Sequence, residues 1–312
     1  MAAPGPVLLR ALTAAALALA VVTTPPAAPA QQRLRVLATL PDLWAITRAL
    51  VRDLGEVQVA TRPGQNPHDL EIRPSQILLV KRAEILVRNG LDEDAWIDPV
   101  VESSGNPRLL RGAPGVVEAV RGLSLLKVRT GPVDRSLGDV HPSGNPHFTL
   151  DPGTLPVVTG NIVAGLGRLR PDLLERLEAN RWAFLDEVAV AMRRWTAALA
   201  PFRGAQVVSY HDSWPYFYRA FGLEELGVIE DRPGVPPSPQ HLVTLIRQMR
   251  ERGARIVLVE SWYPTDTATS VARAAGARVV VVPQSPGAVK GTDTYVAHLD
   301  ALVTAIARAL AE

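Results

Sequence analysis

The sequence contains no cysteine among its 312 residues. We therefore expect no disulfide, no thiolate ligand for a metal and no acylated cysteine at the start of a mature chain. A metal site would have to use histidine, aspartate, glutamate or a neutral oxygen. A nucleophile would have to be serine, threonine, lysine or a carboxylate. The absence of thiols directs attention to the six histidines.

Concentrated positive charge is missing as well. The formal net charge is +2, and basic residues are interspersed with acidic ones, with nothing denser than pairs such as Arg193-Arg194. A nucleic-acid partner needs a concentrated basic patch, and so does a charged membrane surface. We therefore expect neither of these partners.

Long hydrophobic runs are confined to the N-terminus. Residues 1–30 combine Arg10, the apolar run Ala11–Val22 and the small residues Ala28 and Ala30 around Pro29. This pattern predicts a secretory signal peptide cleaved after Ala30, because the apolar run is too short to span a membrane. No later stretch reaches about 18 apolar residues, so we expect a soluble mature protein outside the cytoplasm.

Strand-like and helix-like stretches alternate through the rest of the chain, of which 47% is hydrophobic. This alternation predicts βαβ units and parallel sheet. Strands are predicted near residues 34–39, 57–61, 84–88, 116–117, 123–128, 205–210, 255–260 and 278–283.

A single long helix is predicted in the middle of the chain. Apolar residues such as Leu177, Phe184 and Trp195 recur at helical spacing between Pro171 and Leu199, and a helix of this length spans roughly 44 Å. It would belong to one lobe or join two. The pattern around it predicts four segments, namely the signal peptide (1–30), an N-terminal α/β lobe (31–169), the linking helix (170–201) and a C-terminal α/β lobe (202–312).

Three histidines lie where ligands bind in open α/β sheets, at the carboxyl ends of strands. His68 follows the strand at 57–61, His211 follows the strand at 205–210, and His147 lies on a proline-stiffened loop before a helix. Three imidazoles suit Zn²⁺, although more than sixty residues separate each from the next. Incidental surface histidines remain the alternative, and we interpret His241 and His298 as helix-start or surface residues.

Four segments resemble motifs of the zinc- and manganese-binding solute-binding proteins of metal ABC importers. They are Asn66–Ser75 (NPHDLEIRPS), Asn145–Pro152 (NPHFTLDP), Tyr210–Ser213 (YHDS) and Gly291–Tyr295 (GTDTY), and the match covers nearly the whole mature chain in order. The resemblance implies an α/β fold with two lobes of mostly parallel sheet flanked by helices. A single long backbone helix would join the lobes, and the metal would bind in the cleft between them.

The resemblance also implies a set of ligands. His68, His147 and His211 stand at three ligand positions of the family, and a histidine at the third is usual in zinc-type members, whereas manganese-type members more often carry glutamate. Gln284 stands near the fourth position, where many members have aspartate. An amide oxygen is a poor zinc ligand, so Glu260 or water is favoured there. His141 lies on a short version of a loop that is rich in histidine and aspartate in some members. It is either an accessory capture residue or a solvent-facing one.

We therefore expect a monomeric periplasmic protein that captures Zn²⁺ as cargo and delivers it to the membrane permease of an ABC importer, with no enzymatic chemistry. Two alternatives remain open. One is a manganese or iron carrier on the same fold. The other is a secreted zinc hydrolase with an open coordination position and Glu260 as general base.

Overall fold

Strands and helices alternate from Leu34 onward in a computed structural model that describes residues 1–2, 33–68, 70–129 and 141–312. The predicted signal peptide, apart from its first two residues, lies outside the described part of the chain. Residues 33–312 form one unit through their internal contacts. Within the described ranges, no helix combines the length and the apolar character needed to cross a bilayer.

The first sheet has the strand order β2-β1-β3-β4, and all of its pairs are parallel. Its strands are short and rich in buried aliphatic residues, as expected for a parallel sheet covered on both faces. The strands are β1 (Leu34–Ala38), β2 (Gly55–Val59), β3 (Ile85–Arg88) and β4 (Val116–Glu118). The accompanying helices are α1 (Pro41–Val51), α2 (Pro74–Arg82), α3 (Ile97–Ser104) and α4 (Leu155–Leu169).

The second sheet repeats this arrangement, with the order β6-β5-β7-β8 and parallel pairing throughout. In each sheet the first strand along the chain therefore lies between the second and the third. The strands are β5 (Gln206–Ser209), β6 (Glu224–Val228), β7 (Ile256–Glu260) and β8 (Arg278–Val282). The helices are α6 (Pro215–Phe221), α7 (Pro239–Arg252), α8 (Asp266–Ala275) and α9 (Tyr295–Ala311).

The long helix α5 (Leu174–Leu199) follows a 3₁₀ turn at Pro171–Leu173 and contacts both halves of the structure. Near its start, the Asn180 side chain donates to the carbonyl of Leu50 in α1 at 2.9 Å. Near its end, Trp195 Nε1 donates to Asp300 Oδ1 in α9 at 2.6 Å. The predicted fold class is confirmed. The predicted bounds of the lobes and the linking helix, at 31–169, 170–201 and 202–312, stay predictions.

Two strand predictions differ from the structure. Residues 123–128, all of them described, form no strand. The backbone groups of Leu126 bond outside any sheet, since its N–H donates to Tyr216 Oη and its carbonyl accepts from Asn145 N. The edge strand β6 was not predicted. It carries Glu224, Glu225 and Gly227, which weaken the apolar pattern that marks a strand.

The prediction that His298 is a surface residue is wrong. His298 lies in α9 with 2% of its surface exposed, and its Nε2 lies 2.8 Å from the carbonyl oxygen of Pro283. Burial disfavours the charged imidazolium and lowers the pKa of His298 to about 4, although the Pro283 carbonyl acts in the opposite direction.

We expect His298 to make the fold sensitive to acid. Its pKa is about 4 when folded and near 6.5 when unfolded, so below pH 6.5 the unfolded chain binds a proton that the folded chain does not. The free energy of unfolding is unaffected by His298 above that pH. It falls between pH 6.5 and 4, by about 3 kcal/mol in all. Denaturant unfolding at several pH values should show a flatter profile for His298→Gln than for the wild type. Equal slopes would contradict this.

Trp195 should be the more important of two tryptophans on α5. It is 2% exposed, so Trp195→Ala should lower the free energy of unfolding by about 3–5 kcal/mol. Trp182 is 58% exposed and stacks with Arg181, so Trp182→Ala should cost about 1 kcal/mol or less. Urea denaturation of both variants measures the difference, and similar losses would mean that α5 is not anchored through Trp195.

Candidate metal centre

The two Asn-Pro-His segments form the same local turn. Asn66 Oδ1 accepts the backbone N–H of His68 at 3.1 Å, and Asn145 Oδ1 accepts that of His147 at 3.0 Å. An asparagine side chain stabilises such a turn by bonding to the backbone two residues on, and the intervening proline fixes its own φ. Each segment therefore presents its histidine from a backbone that is held locally.

His211 is positioned by the end of β5 and by a carboxylate from the next loop. Ser209 Oγ donates to the carbonyl of His211 at 2.8 Å. His211 Nδ1 lies 2.8 Å from Glu230 Oε2, and Glu230 Oε1 accepts the backbone N–H of Gly234 at 3.0 Å. The contact with Glu230 uses Nδ1 and leaves Nε2, which is buried and has no hydrogen-bond partner among the described residues.

The three histidines come together in space. One nitrogen from each of His68, His147 and His211 can be chosen so that all three lie within 4.8 Å of one another. Their ring centroids are 5.0–6.0 Å apart. Ligand atoms on a tetrahedral zinc are about 3.4 Å apart, as follows from Zn–N distances near 2.0–2.1 Å. Movements of about an ångström would bring these nitrogens to one ion.

Asn145 connects the two halves at this point. It is 5% exposed. Its Oδ1 lies 3.1 Å from His147 Nδ1, and its Nδ2 donates to the carbonyl of Asp212, next to His211, at 2.7 Å. Lys127 adds ion pairs to Asp212 at 2.5 Å and to Glu225 at 2.8 Å. One side chain thus orients an imidazole of the first half and holds the backbone beside an imidazole of the second.

The surroundings give His147 and His211 different acidities. Burial lowers the pKa of His147 well below its usual range, and nearby positive imidazolium charge on His211, His68 or His141 would lower it further. Burial also acts to lower the pKa of His211, but the hydrogen bond with Glu230 and the charges of Glu260, Glu230 and Asp212 outweigh it and raise that pKa. His147 is therefore a ready neutral donor, whereas a metal at His211 competes with a proton.

Glu260 lies outside the three-histidine set, although the structure places it in the same region. Its carboxylate is fully buried at the end of β7, and its Oε1 accepts from Trp214 Nε1 at 2.9 Å. Burial raises its pKa, against the lowering effects of His211, its own backbone N–H, Ser213 and Trp214. Its second oxygen is buried and has no hydrogen-bond partner within the described ranges.

Gln284 and His141 also lie outside the set. Gln284 lines a cavity of about 50 Å³ that His147 and Glu93 also line. The ring of His141 is 5.2 Å from that of His68 and 6.5 Å from that of His147, so it lies at the edge of the group. The roles of Glu260, Gln284, water and His141 as ligands stay predictions.

Two acidic residues beside the histidines were missed from the sequence. Glu230 follows β6, the strand that was not predicted, so no strand end pointed to it. Glu93 lies in a 3₁₀ turn, Asp92–Asp94, after β3, and its Oε1 is 3.6 Å from His147 Nε2. The rule that ligands bind beyond the carboxyl ends of strands could have found Glu93, because β3 had been predicted.

A family model described as zinc-uptake complex component A, periplasmic, matches residues 36–309 of this chain. A high-affinity zinc uptake system protein, ZnuA, from Yersinia pestis is 25% identical over 283 residues, which cover 86% of this chain and 88% of the relative. The zinc-binding protein AdcA from Streptococcus pyogenes is 22% identical over 272 residues, which cover 84% of this chain. The matched region spans about half, 52%, of the length of AdcA.

Solved structures share the fold. The crystal structure of a ZnuA deletion mutant with zinc bound superposes with a TM-score of 0.75 at 23% identity, covering 89% of this chain and 98% of that one. At this identity the likeness establishes the architecture of two parallel sheets with a long helix between them.

Proposed function

The chain belongs to the family of periplasmic zinc-uptake components to which ZnuA gives its name, as the sequence motifs indicated, and from this we propose that it is a zinc-binding protein that captures Zn²⁺ and hands it to an ABC-type importer. The observation that carries the proposal is the convergence of His68, His147 and His211, whose donor nitrogens lie within 4.8 Å of one another. Zinc is the cargo, and no covalent bond of a substrate is made or broken.

Zinc selection follows from the donor set. Three neutral imidazoles suit Zn²⁺, whereas Mn²⁺ prefers more carboxylate oxygens. The family pattern offers Glu260, Gln284 or water as candidates for the fourth position, and His141 assists capture at the edge of the site. The protein works in the periplasm as a monomer, and its partners are the metal ion and the permease.

Capture and release depend on joining two halves of the molecule. His68 and His147 come from loops of the first half and His211 from the second. The metal therefore crosslinks loops that are far apart in sequence. Separation of these loops would remove at least one ligand and weaken binding, and the permease would use this to take the ion. Binding also displaces the proton that His211 holds because of its raised pKa, so affinity falls as the pH drops through the pKa of His211, which lies above the usual value for histidine.

Titration of chelator-stripped protein with zinc, in competition with a chromophoric chelator, tests the proposal. We expect one tight site in the wild type, with a Kd well below micromolar. His68→Ala, His147→Ala and His211→Ala should each weaken zinc binding by more than about 100-fold, because each removes a ligand rather than a supporting contact. His241→Gln, outside the cluster, is the matched control and should bind like the wild type.

Micromolar or weaker binding by the wild type, or unchanged binding by His68→Ala, would refute the zinc-carrier function. Competition between zinc and manganese distinguishes the manganese carrier, which would prefer manganese. Turnover of ester or peptide substrates by the zinc-loaded protein would instead support the hydrolase.

Glu230 gives a separate prediction about orientation. Its contact with His211 Nδ1 leaves Nε2 for the metal, and loss of such a carboxylate typically weakens metal binding by about 10–100-fold. Glu230→Gln should therefore bind zinc more weakly than the wild type but more tightly than His211→Ala. Zinc affinities of the three proteins, measured side by side, provide the comparison. An affinity of Glu230→Gln equal to that of the wild type would rule out this role for Glu230.

A further inference from the structure

We propose that Glu93 binds the metal through Oε1 as the fourth protein ligand, completing a site of three imidazoles and one carboxylate. This inference rests on the proposed zinc-binding function and assigns the position that the family pattern left to Glu260, Gln284 or water. Glu93 is 7% exposed. It follows β3 at the edge of the first sheet where the carboxyl ends of the strands lie, as His68 does after β2.

The distance from Glu93 to His147 fits two ligands of one ion. Glu93 Oε1 lies 3.6 Å from His147 Nε2. Two ligand atoms bound to one tetrahedral zinc at about 2.0–2.2 Å are about 3.4 Å apart. The carboxylate and this imidazole therefore already have nearly the spacing that shared coordination requires. Glu93 lies outside the set of ligand atoms that are all within 4.8 Å of one another, so its carboxylate would turn about its three rotatable side-chain bonds to reach an ion held by all three histidines.

The tautomer of His147 directs its lone pair towards Glu93. Its Nδ1 lies 3.1 Å from Asn145 Oδ1, an oxygen that can only accept, so Nδ1 carries the proton. Nε2 is then the atom with the free lone pair, and it is the nitrogen that faces Glu93. An ion bound at Nε2 meets the carboxylate without any change of tautomer.

Asn89 holds the carboxylate and the histidine loop together. Its side chain is fully buried. Its Nδ2 lies 3.2 Å from Glu93 Oε2 and 3.0 Å from the carbonyl of Pro146, the residue before His147. This contact engages Oε2, while Oε1 lies on the His147 side. A hydrogen bond that supports one oxygen is typical of a carboxylate that ligates a metal through the other.

Charge favours the same assignment. Three neutral imidazoles leave a bound Zn²⁺ with its full double charge in a buried cleft, and a buried charge is costly unless it is paired. The Glu93 carboxylate halves that net charge. Glu260 has a similar arrangement, with Oε1 engaged by Trp214 and Oε2 buried without a hydrogen-bond partner among the described residues. Glu93 is distinguished from it by the 3.6 Å approach of Oε1 to His147 Nε2.

The test compares Glu93→Gln, Glu93→Asp and Glu260→Gln, with Asp92→Asn as the matched control, because Asp92 is an exposed neighbour in the same turn. Each full-length mature protein is stripped of metal, checked by thermal unfolding, and titrated with zinc in competition with a chromophoric chelator. Cobalt is then bound in place of zinc, and its visible absorption reports the ligands around the ion.

If Glu93 is the ligand, Glu93→Gln should weaken zinc binding at least about 10–100-fold and shift the cobalt spectrum. Glu93→Asp should keep a carboxylate-type cobalt spectrum and bind zinc with intermediate affinity. If Glu93→Gln is poorly folded, Glu93→Asp tests the assignment in its place. Asp92→Asn should retain the wild-type spectrum and affinity. Glu260→Gln should retain the wild-type cobalt spectrum, because Glu260 would not contact the ion.

Three results would overturn the assignment. The first is wild-type zinc affinity in Glu93→Gln. The second is weaker zinc binding by Glu93→Gln with an unchanged cobalt spectrum, which would make Glu93 a positioning residue only. The third is a cobalt spectrum that changes in Glu260→Gln and not in Glu93→Gln. In each of these cases His147→Ala still loses zinc, so the proposed function stands. Failure of the wild type itself to bind zinc would refute the function and not this assignment alone.

Discussion

Each strand in both sheets runs parallel to its neighbours, and a parallel pair can be joined only by a connection that crosses back over the sheet. This constraint places the carboxyl ends of four strands at one edge of each sheet. The loops that leave those edges carry His68 after β2, Glu93 after β3 and His211 after β5. A site made from distant parts of the chain is thus a consequence of strand direction, because parallel pairing gathers loops that sequence order keeps apart.

Side chains around the histidines set their geometry before any ion arrives. Asn145 Oδ1 accepts a hydrogen bond from His147 Nδ1, and Asn145 Nδ2 donates to the carbonyl of Asp212. Glu230 is hydrogen-bonded to His211 through Nδ1. Both imidazoles are left with Nε2 for a ligand. Prior orientation lowers the ordering cost of binding, and the loss of an outer contact of this kind typically weakens metal binding by about 10–100-fold.

The same region contains polar atoms that the fold leaves unsatisfied. Among the described residues, His211 Nε2, Glu260 Oε2, Trp262 Nε1 and Gln284 Oε1 are buried without a hydrogen-bond partner. Buried polar groups are nearly always bonded, so their concentration near one cleft marks a place where stability has been given up for binding. The remainder of the molecule compensates through a continuous apolar cluster that runs from the first sheet through α5 to α9.

Local signals were sufficient for the fold class, for α5 and for the positions of His68, His147 and His211 at strand ends or on a stiffened loop. Periodicity, prolines and turn-forming residues act over a few neighbours, so a sequence displays them directly. The edge strand β6, the burial of His298 and the contacts of Glu93 and Glu230 with imidazoles were not visible in this way. Each depends on which residue lies opposite another across a sheet edge or cleft. Strand order and register decide these pairings, and both are properties of the assembled chain. The partners come from distant positions in the sequence, so they meet only when both sheets and the helix between them have packed.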